Sequence, residues 1–191
     1  YEIASCLVGS EMCIRDSKIT DVDALGAGIG IYRAGKTLGK PVHIVINDPT
    51  TSIRPLMSGF MENPDYEPSM FVDSNQAKEL VDNNTVVIVV DTNKPSYTEC
   101  QDLLYMTKTI VVLDHHRRGS EVIQNAVLSY VEPYASSSCE MIAEILQYFA
   151  DGLKLRSIEA DCIYAGIMLS LIHISEPKRQ EAISYAVFCL K

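Results

Sequence analysis

The sequence predicts an α/β fold, an open and mainly parallel sheet with helices on both faces, and three observations lead to it. Apolar, largely β-branched runs at 42–46, 85–90 and 109–113 alternate with segments carrying helical start and stop signals. The second run, Thr85-Val-Val-Ile-Val-Val90, has the composition of a strand buried on both faces. Acidic or imidazole side chains stand where runs end or helices begin: Asp91 after Val90, Asp114-His115-His116 after Leu113, and Asp21-Val22-Asp23 ahead of a long amphipathic segment. In open α/β sheets, sites form at the carboxyl ends of strands, so these three clusters are expected to share one rim.

In chain order, 22–37 reads as a helix. Ala24, Leu25, Ile29, Ile31 and Tyr32 are available for its buried face, and Gly26, Ala27 and Gly28 permit close approach. Gly39-Lys-Pro41 ends it, and 42–46 is a strand in which His43 is packed or at the surface. A polar loop and a short helix near 54–60 follow, then a proline-marked loop over 62–68. Asp73 or Ser74 caps a helix through Val81, which leads into the strand at 85–90. Ser96-x-x-Glu99 is a capping-box signature for a helix to about Tyr105. The strand at 109–113 comes next, and a last short strand lies at 127–131. Ser137-x-x-Glu140 opens a helix through Phe149, Gly152 stops it, and Ser157 opens a final helix through Leu169.

Gly30-Ile-Tyr-Arg-Ala-Gly-Lys-Thr37 matches the phosphate-binding pattern G-x-x-x-x-G-K-[ST] letter for letter. A working loop of that kind needs a strand before it and a helix starting at the lysine. Here the preceding residues are helical by pattern and Gly39-Lys-Pro41 breaks the chain directly afterwards, so the match reads as a helix carboxy terminus.

Composition narrows the function classes. Of the 191 residues 47% are hydrophobic, enough for one domain with a substantial core. No stretch approaches the ~18 consecutive apolar residues of a membrane span, so no membrane contact is expected from this segment. The net charge of −9 argues against a long nucleic acid as partner, although bound cations can still admit a phosphodiester. Cys100, Cys139 and Cys162 are widely spaced with no C-x-x-C, the pattern of buried free thiols in a reducing compartment.

Adjacent imidazoles and carboxylates at strand exits are the ligands a hard divalent ion such as Mn²⁺ prefers, and three such clusters suit a dinuclear site. Four stretches extend the pattern: Lys18-Ile-Thr-Asp-Val-Asp-Ala-Leu-Gly-Ala27, Val90-Asp-Thr-Asn-Lys-Pro-Ser96, Leu113-Asp-His-His-Arg-Arg-Gly119 and Tyr130-Val-Glu-Pro-Tyr-Ala-Ser-Ser138. Together they resemble the DHH phosphoesterases, and in particular the cyclic-di-AMP phosphodiesterases in which a DHHA1 domain follows the DHH domain. The resemblance covers roughly 18–169.

It implies a phosphodiesterase that linearises cyclic di-AMP to 5′-pApA with two divalent ions, Mn²⁺, as cofactors. Asp21 and Asp91 would belong to the first ion, and Asp23, Asp91 and His115 to the second. His116 suits hydrogen bonding to phosphate or proton transfer to the leaving alkoxide, and Asp114 suits orienting an imidazole. Arg117 and Arg118 would meet the second phosphate or stand solvated, and Ser136, Ser137 and Ser138 would donate to phosphate or cap the helix that follows. The partner is then a cyclic dinucleotide or a short oligonucleotide. A cytoplasmic location, as part of a parent protein with membrane helices upstream, also follows from the resemblance, and homodimerisation stays open. The runner-up activities are those of an oligoribonuclease or 3′,5′-bisphosphate nucleotidase of the same superfamily, or of a catalytically dead nucleotide- or metal-binding fragment.

The two ends do not fit that pattern. Residues 1–17 and 170–191 resemble translated sequencing-adapter read-through and are expected to be non-native, leaving a DHH domain at 18–169 truncated at both ends. The family pattern carries a His four residues before the first Asp, where Ser17 stands, and an Asp after Gly-Ile-Met-Leu, where Ser170 stands. Both positions are metal ligands in the family, so an impaired centre is expected.

Overall fold

A computed structural model of the chain describes residues 12–15 and 21–171. The adapter-like reading of 1–17 and 170–191 lies, apart from 12–15 and 170–171, outside the described residues, as do Ser17 and His173. The order of elements is β1 (Met12–Arg15), α1 (Val22–Thr37), β2 (Val42–Val45), α2 (Arg54–Met61), β3 (Phe71–Val72), α3 (Ser74–Leu80) and β4 (Val86–Val90). A 3₁₀ turn at Pro95–Tyr97, α4 (Leu103–Met106), β5 (Thr109–Asp114), β6 (Leu128–Val131), α5 (Ser138–Phe149) and α6 (Ser157–Leu171) complete it.

All strand pairings are parallel, and the order across the sheet is β3-β2-β1-β4-β5-β6. The order reverses between β1 and β4, a doubly wound arrangement with its switch point in the middle of the sheet. Each strand there is followed by one of the acidic clusters, so the topology itself brings the clusters to one crevice.

The two-residue period of a strand divides the core. Val86, Ile88 and Val90 of β4 join Val111 and Leu113 of β5 in a cluster with α1, α2, α5 and α6. Val87 and Val89, with Ile110 and Val112, face the other way onto Ala77 and Val81 near α3 and Leu103 and Leu104 of α4. Helices therefore cover both faces of an open parallel sheet, and the fold class expected from the sequence is the one observed.

Four local expectations change. The helix at 22–37 is not amphipathic: it lies against the sheet and under α5 and α6, and residues around its whole circumference are buried. Small residues permit this. A Cβ at Gly26 would lie 2.5 Å from Cys139 Sγ and 2.9 Å from Cys162 O. The capping box at Ser96 and Glu99 does not form. Ser96 Oγ donates to Glu121 at 2.9 Å and the Glu99 carboxylate accepts from Asn47 at 2.5 Å, so long-range partners take both groups and only a 3₁₀ turn and the short α4 result. The central strand β1, within the segment set aside as foreign, and the two-residue β3 were not anticipated; the latter is too short to leave a periodic signal. The P-loop look-alike at Gly30–Thr37, by contrast, is helical as expected: it is the second half of α1, with no phosphate cradle in it.

Candidate metal centre

Four side chains meet at the switch point, each delivered by a different local device. Asp91 leaves β4 at φ +59°, the one non-glycine residue with positive φ among the described residues. An Asp tolerates this left-handed turn better than most residues, and the turn swings its carboxylate across the strand end. The Asp91 N–H still donates to Leu113 O at 3.0 Å, which keeps the turn tied to β5.

Asp23 lies in the first turn of α1 and is 4% exposed. Both of its oxygens face the amino terminus of α5: Ser138 N donates to Oδ2 at 2.9 Å and Cys139 N to Oδ1 at 2.8 Å. Burial pushes the Asp23 carboxyl above its ordinary range, while those two N–H groups and the nearby His115 pull it back.

His115 Nε2 stands 3.6 Å from Asp23 Oδ2 and 3.6 Å from Asp91 Oδ1. His116 Nδ1 lies 3.9 Å from Asp91 Oδ1, and the two imidazole centroids are 4.4 Å apart. One ligand atom each from Asp91, His115 and His116 can be chosen so that all lie within 4.8 Å of one another. One carboxylate and two imidazoles, with a second buried carboxylate against His115, suit a divalent ion that accepts oxygen and nitrogen ligands. The residues present fit a metal.

Asp114, the last residue of β5 and fully buried, fixes His116. Its Oδ1 accepts from the His116 backbone N–H at 3.1 Å and faces His116 Nδ1 at 2.8 Å. That contact raises the His116 pKa against the opposing effect of burial, and the fields of Asp23 and Asp21 add to it. Asn93, in the loop after β4, donates from Nδ2 to Asp114 Oδ2 at 2.5 Å and to His116 O at 3.2 Å. The residue is 4% exposed and its Oδ1 has no hydrogen-bond partner among the described residues. Asn93 lies in one of the four stretches that carry the resemblance but was given no role there, although its place two residues beyond Asp91 at a strand exit was a usable signal.

The remaining candidates divide. Asp21 is exposed and is the N-cap of α1, its Oδ1 accepting from Ala24 N at 3.0 Å. Arg117 and Arg118 are exposed just beyond His116, with Arg118 Nη2 donating to Ser129 Oγ at 3.3 Å. Ser136 and Ser137 are buried in the cap of α5, the second of the two roles the sequence offered them. Ser136 N and Oγ both donate to Glu140 Oε2 at 2.6 Å, and Ser137 Oγ accepts from Glu140 N at 2.9 Å. The amino terminus of α5, which would otherwise welcome an anion, already holds the carboxylate of Asp23. Ser138 points elsewhere: its hydroxyl donates to Asp91 Oδ1 at 2.8 Å. The sequence reading grouped it with its neighbours and missed that contact.

Residues 11–167 match the DHH family, N-terminal domain. The chain belongs to the DHH family. It is 38% identical over 164 residues to the cyclic-di-AMP phosphodiesterase GdpP of Bacillus subtilis (strain 168), covering 84% of this chain and 24% of that protein. It is 31% identical over 161 residues to the cyclic-di-AMP phosphodiesterase PdeA of Listeria monocytogenes, covering 83% of this chain and 24% of that protein. The chain thus spans about a quarter of the length of these curated relatives.

Two solved structures share the fold. An exopolyphosphatase-related protein from Bacteroides fragilis superposes with a TM-score of 0.79 at 17% identity, over 99% of this chain and 54% of that one. A putative family II inorganic pyrophosphatase from Methanococcus jannaschii gives 0.59 at 16% identity, over 95% of this chain and 55% of that one. No described helix is long and apolar enough to cross a membrane.

Proposed function

We propose that residues 18–169 form the metal-dependent phosphodiesterase domain of a DHH protein, hydrolysing cyclic di-AMP to 5′-pApA with two divalent ions, Mn²⁺, as cofactors. The observation that supports this reading is the meeting of Asp91, His115 and His116 at the sheet's switch point, with Asp23 against His115, in a chain whose relatives are named as cyclic-di-AMP phosphodiesterases. When bound, the ions supply a water nucleophile at neutral pH and stabilise charge on the phosphoryl oxygens.

The protein's own groups carry the rest of the reaction. Asp91, Asp23 and His115 would hold the ions, with Asp21 on the helix cap beside them, while His116, whose Nδ1 is taken by Asp114, would serve the reaction rather than the metal. His116, its Nδ1 engaged by Asp114, keeps Nε2 as the nitrogen that would donate a proton to the departing 3′-oxygen. The Asp114 contact, which raises the His116 pKa, favours that step, since the sugar oxygen leaves as a strong base. Arg117 and Arg118 offer fixed charge and planar donor forks to the second phosphate. We place the domain in the cytoplasm, where Cys100, Cys139 and Cys162, all buried, stay reduced thiols.

Ser17 and Ser170 stand where the family pattern has His and Asp, and we propose that they leave the ions weakly held. Ser170 follows Gly166 by about one helical turn in α6, and a Cβ at Gly166 would lie 3.1 Å from Asp23 Cα. A carboxylate at 170 therefore lies on the face of α6 that runs past the centre.

The test is release of pApA from cyclic di-AMP by the chain carrying Ser17→His and Ser170→Asp, measured against Mn²⁺ concentration. Mn²⁺-dependent turnover above that of the parent chain supports the reading. Turnover that persists undiminished in EDTA eliminates it, and preference for pAp or linear pApA over the cyclic substrate shifts the assignment to a nucleotidase or oligonucleotidase.

A further inference from the structure

Asp23 and Asp91 come from different elements, and the first turn of α5 is what joins them. Ser138 reaches both, its N–H donating to Asp23 Oδ2 at 2.9 Å and its hydroxyl to Asp91 Oδ1 at 2.8 Å. Cys139 completes the grip on Asp23, through N–H to Oδ1 at 2.8 Å and through the thiol to the backbone carbonyl at 3.1 Å. The positive end of the helix dipole thus faces the Asp23 carboxylate.

The Ser138 hydroxyl is not needed to cap the helix. Ser137 is the N-cap, and its Oγ accepts from Glu140 N at 2.9 Å. Ser138 itself is 2% exposed, so its hydroxyl is hidden from solvent and directed at Asp91. Asp91 is already constrained by its backbone at φ +59°; the hydroxyl adds a second constraint, on the carboxylate plane.

We propose that Ser138 is a positioning residue of the metal centre. By tethering Asp91 through its hydroxyl and Asp23 through its N–H, it sets the orientation in which the two carboxylates meet an incoming divalent cation. The inference rests on the metal-centre reading above and extends it from the residues that touch the ion to the one that aims them. Groups that orient metal ligands act on affinity itself, commonly by about 10–100-fold.

The experiment uses as parent the full chain carrying Ser17→His and Ser170→Asp, with three further variants of it, reading Mn²⁺ affinity by calorimetry, the visible absorption of bound Co²⁺, and thermal unfolding without metal. Ser138→Ala is expected to weaken Mn²⁺ binding by about 10–100-fold and to alter the Co²⁺ bands, which report ligand geometry. Ser138→Thr keeps the hydroxyl and is expected to recover most of that affinity. Ser137→Ala removes the cap hydrogen bond, so it lowers the unfolding temperature while leaving Mn²⁺ affinity near the parent value. Parent-like affinity in Ser138→Ala overturns the proposal, as does a Ser138→Thr protein that binds no better than Ser138→Ala. Equal weakening by Ser137→Ala also overturns it, because the effect would then come from helix stability. A parent chain that takes up no Mn²⁺ overturns the metal-centre reading, and this inference with it.

Discussion

Glu159 is the most consequential charged group away from the metal centre, and replacing it tests how the helical layer is held. Its side chain is fully buried in α6. Arg33 Nε of α1 donates to both carboxylate oxygens, at 3.0 and 2.8 Å, and Arg33 Nη2 donates to Oε1 at 2.5 Å. Tyr66 OH donates to Oε1 at 3.0 Å and Arg156 N to Oε2 at 2.9 Å. Removing the carboxylate leaves the Arg33 guanidinium, 15% exposed, without its partner in the low-dielectric layer between α1 and α6. Breaking a buried ion pair from one side costs about 3–5 kcal/mol, a large part of the ~5–15 kcal/mol that holds a domain folded. For a domain of this size the melting temperature then falls by on the order of 10 °C. Glu159→Leu, followed by urea unfolding with circular dichroism, should show this loss, and Glu159→Gln most of it, because an amide cannot accept the whole guanidinium fork. Arg33→Leu combined with Glu159→Leu should recover much of the stability, since no orphaned charge remains. A cost below about 1 kcal/mol for Glu159→Leu alone would refute the reasoning, because it would place the pair among solvated surface bridges.

Four further outcomes are expected. Gly26→Ala drives a methyl into Cys139 Sγ and the Cys162 carbonyl, so it should cost about 1–3 kcal/mol in urea unfolding, as overpacking does, and should weaken Mn²⁺ binding through displacement of α5. Tyr66 is pushed up to about 12 by burial and by the neighbouring Glu159 charge, above its unfolded value of about 10. The folded state therefore holds the Tyr66 proton longer than the unfolded chain does. The associated stability is complete below about pH 10 and is lost as pH rises through 12, so Tyr66→Phe should flatten the alkaline limb of a stability–pH curve. Cys139, buried and with its thiol raised well above the ordinary range by burial and then by Asp23, should resist thiol reagents until the chain unfolds, as read by peptide-resolved mass spectrometry. Asn93→Ala removes the donor to Asp114 and the link to the His116 carbonyl, so it should lower turnover by about 10-fold or more in any version of the chain that hydrolyses cyclic di-AMP, with a smaller change in KM.

Local chemistry made much of the fold legible. The all-β-branched run before Asp91 belongs in a strand buried on both faces, and β4 is buried at every position. Of the caps expected at Asp73 or Ser74 and at Ser137, Asp73 and Ser137 form, because a cap needs only a side chain and an N–H two or three residues away. The capping pattern at Ser96 and Glu99 was equally clear and does not form, since distant Glu121 and Asn47 compete for the same groups. In the site, Asp91, Asp114, His115 and His116 could be read because a strand exit is a place the sequence marks, and Asn93 two residues beyond Asp91 carried the same signal. The tie of Ser138 to Asp91, and that of Glu159 to Arg33 away from the site, could not, because their partners come from other elements.

The sequence by itself determined the alternation of strands and helices, the parallel sheet that alternation requires, and the supply of carboxylates and imidazoles at the strand ends. Each of those follows from side-chain periodicity and short-range backbone chemistry, which operate within a few residues. Tertiary structure alone decided that β1 and β4 would be neighbours at the switch point, that the first turn of α5 would face Asp23 and Asp91, and that Asp114 would lie buried behind His116. Those outcomes depend on which surfaces exclude water against one another, a property of the assembled layers rather than of any segment within them.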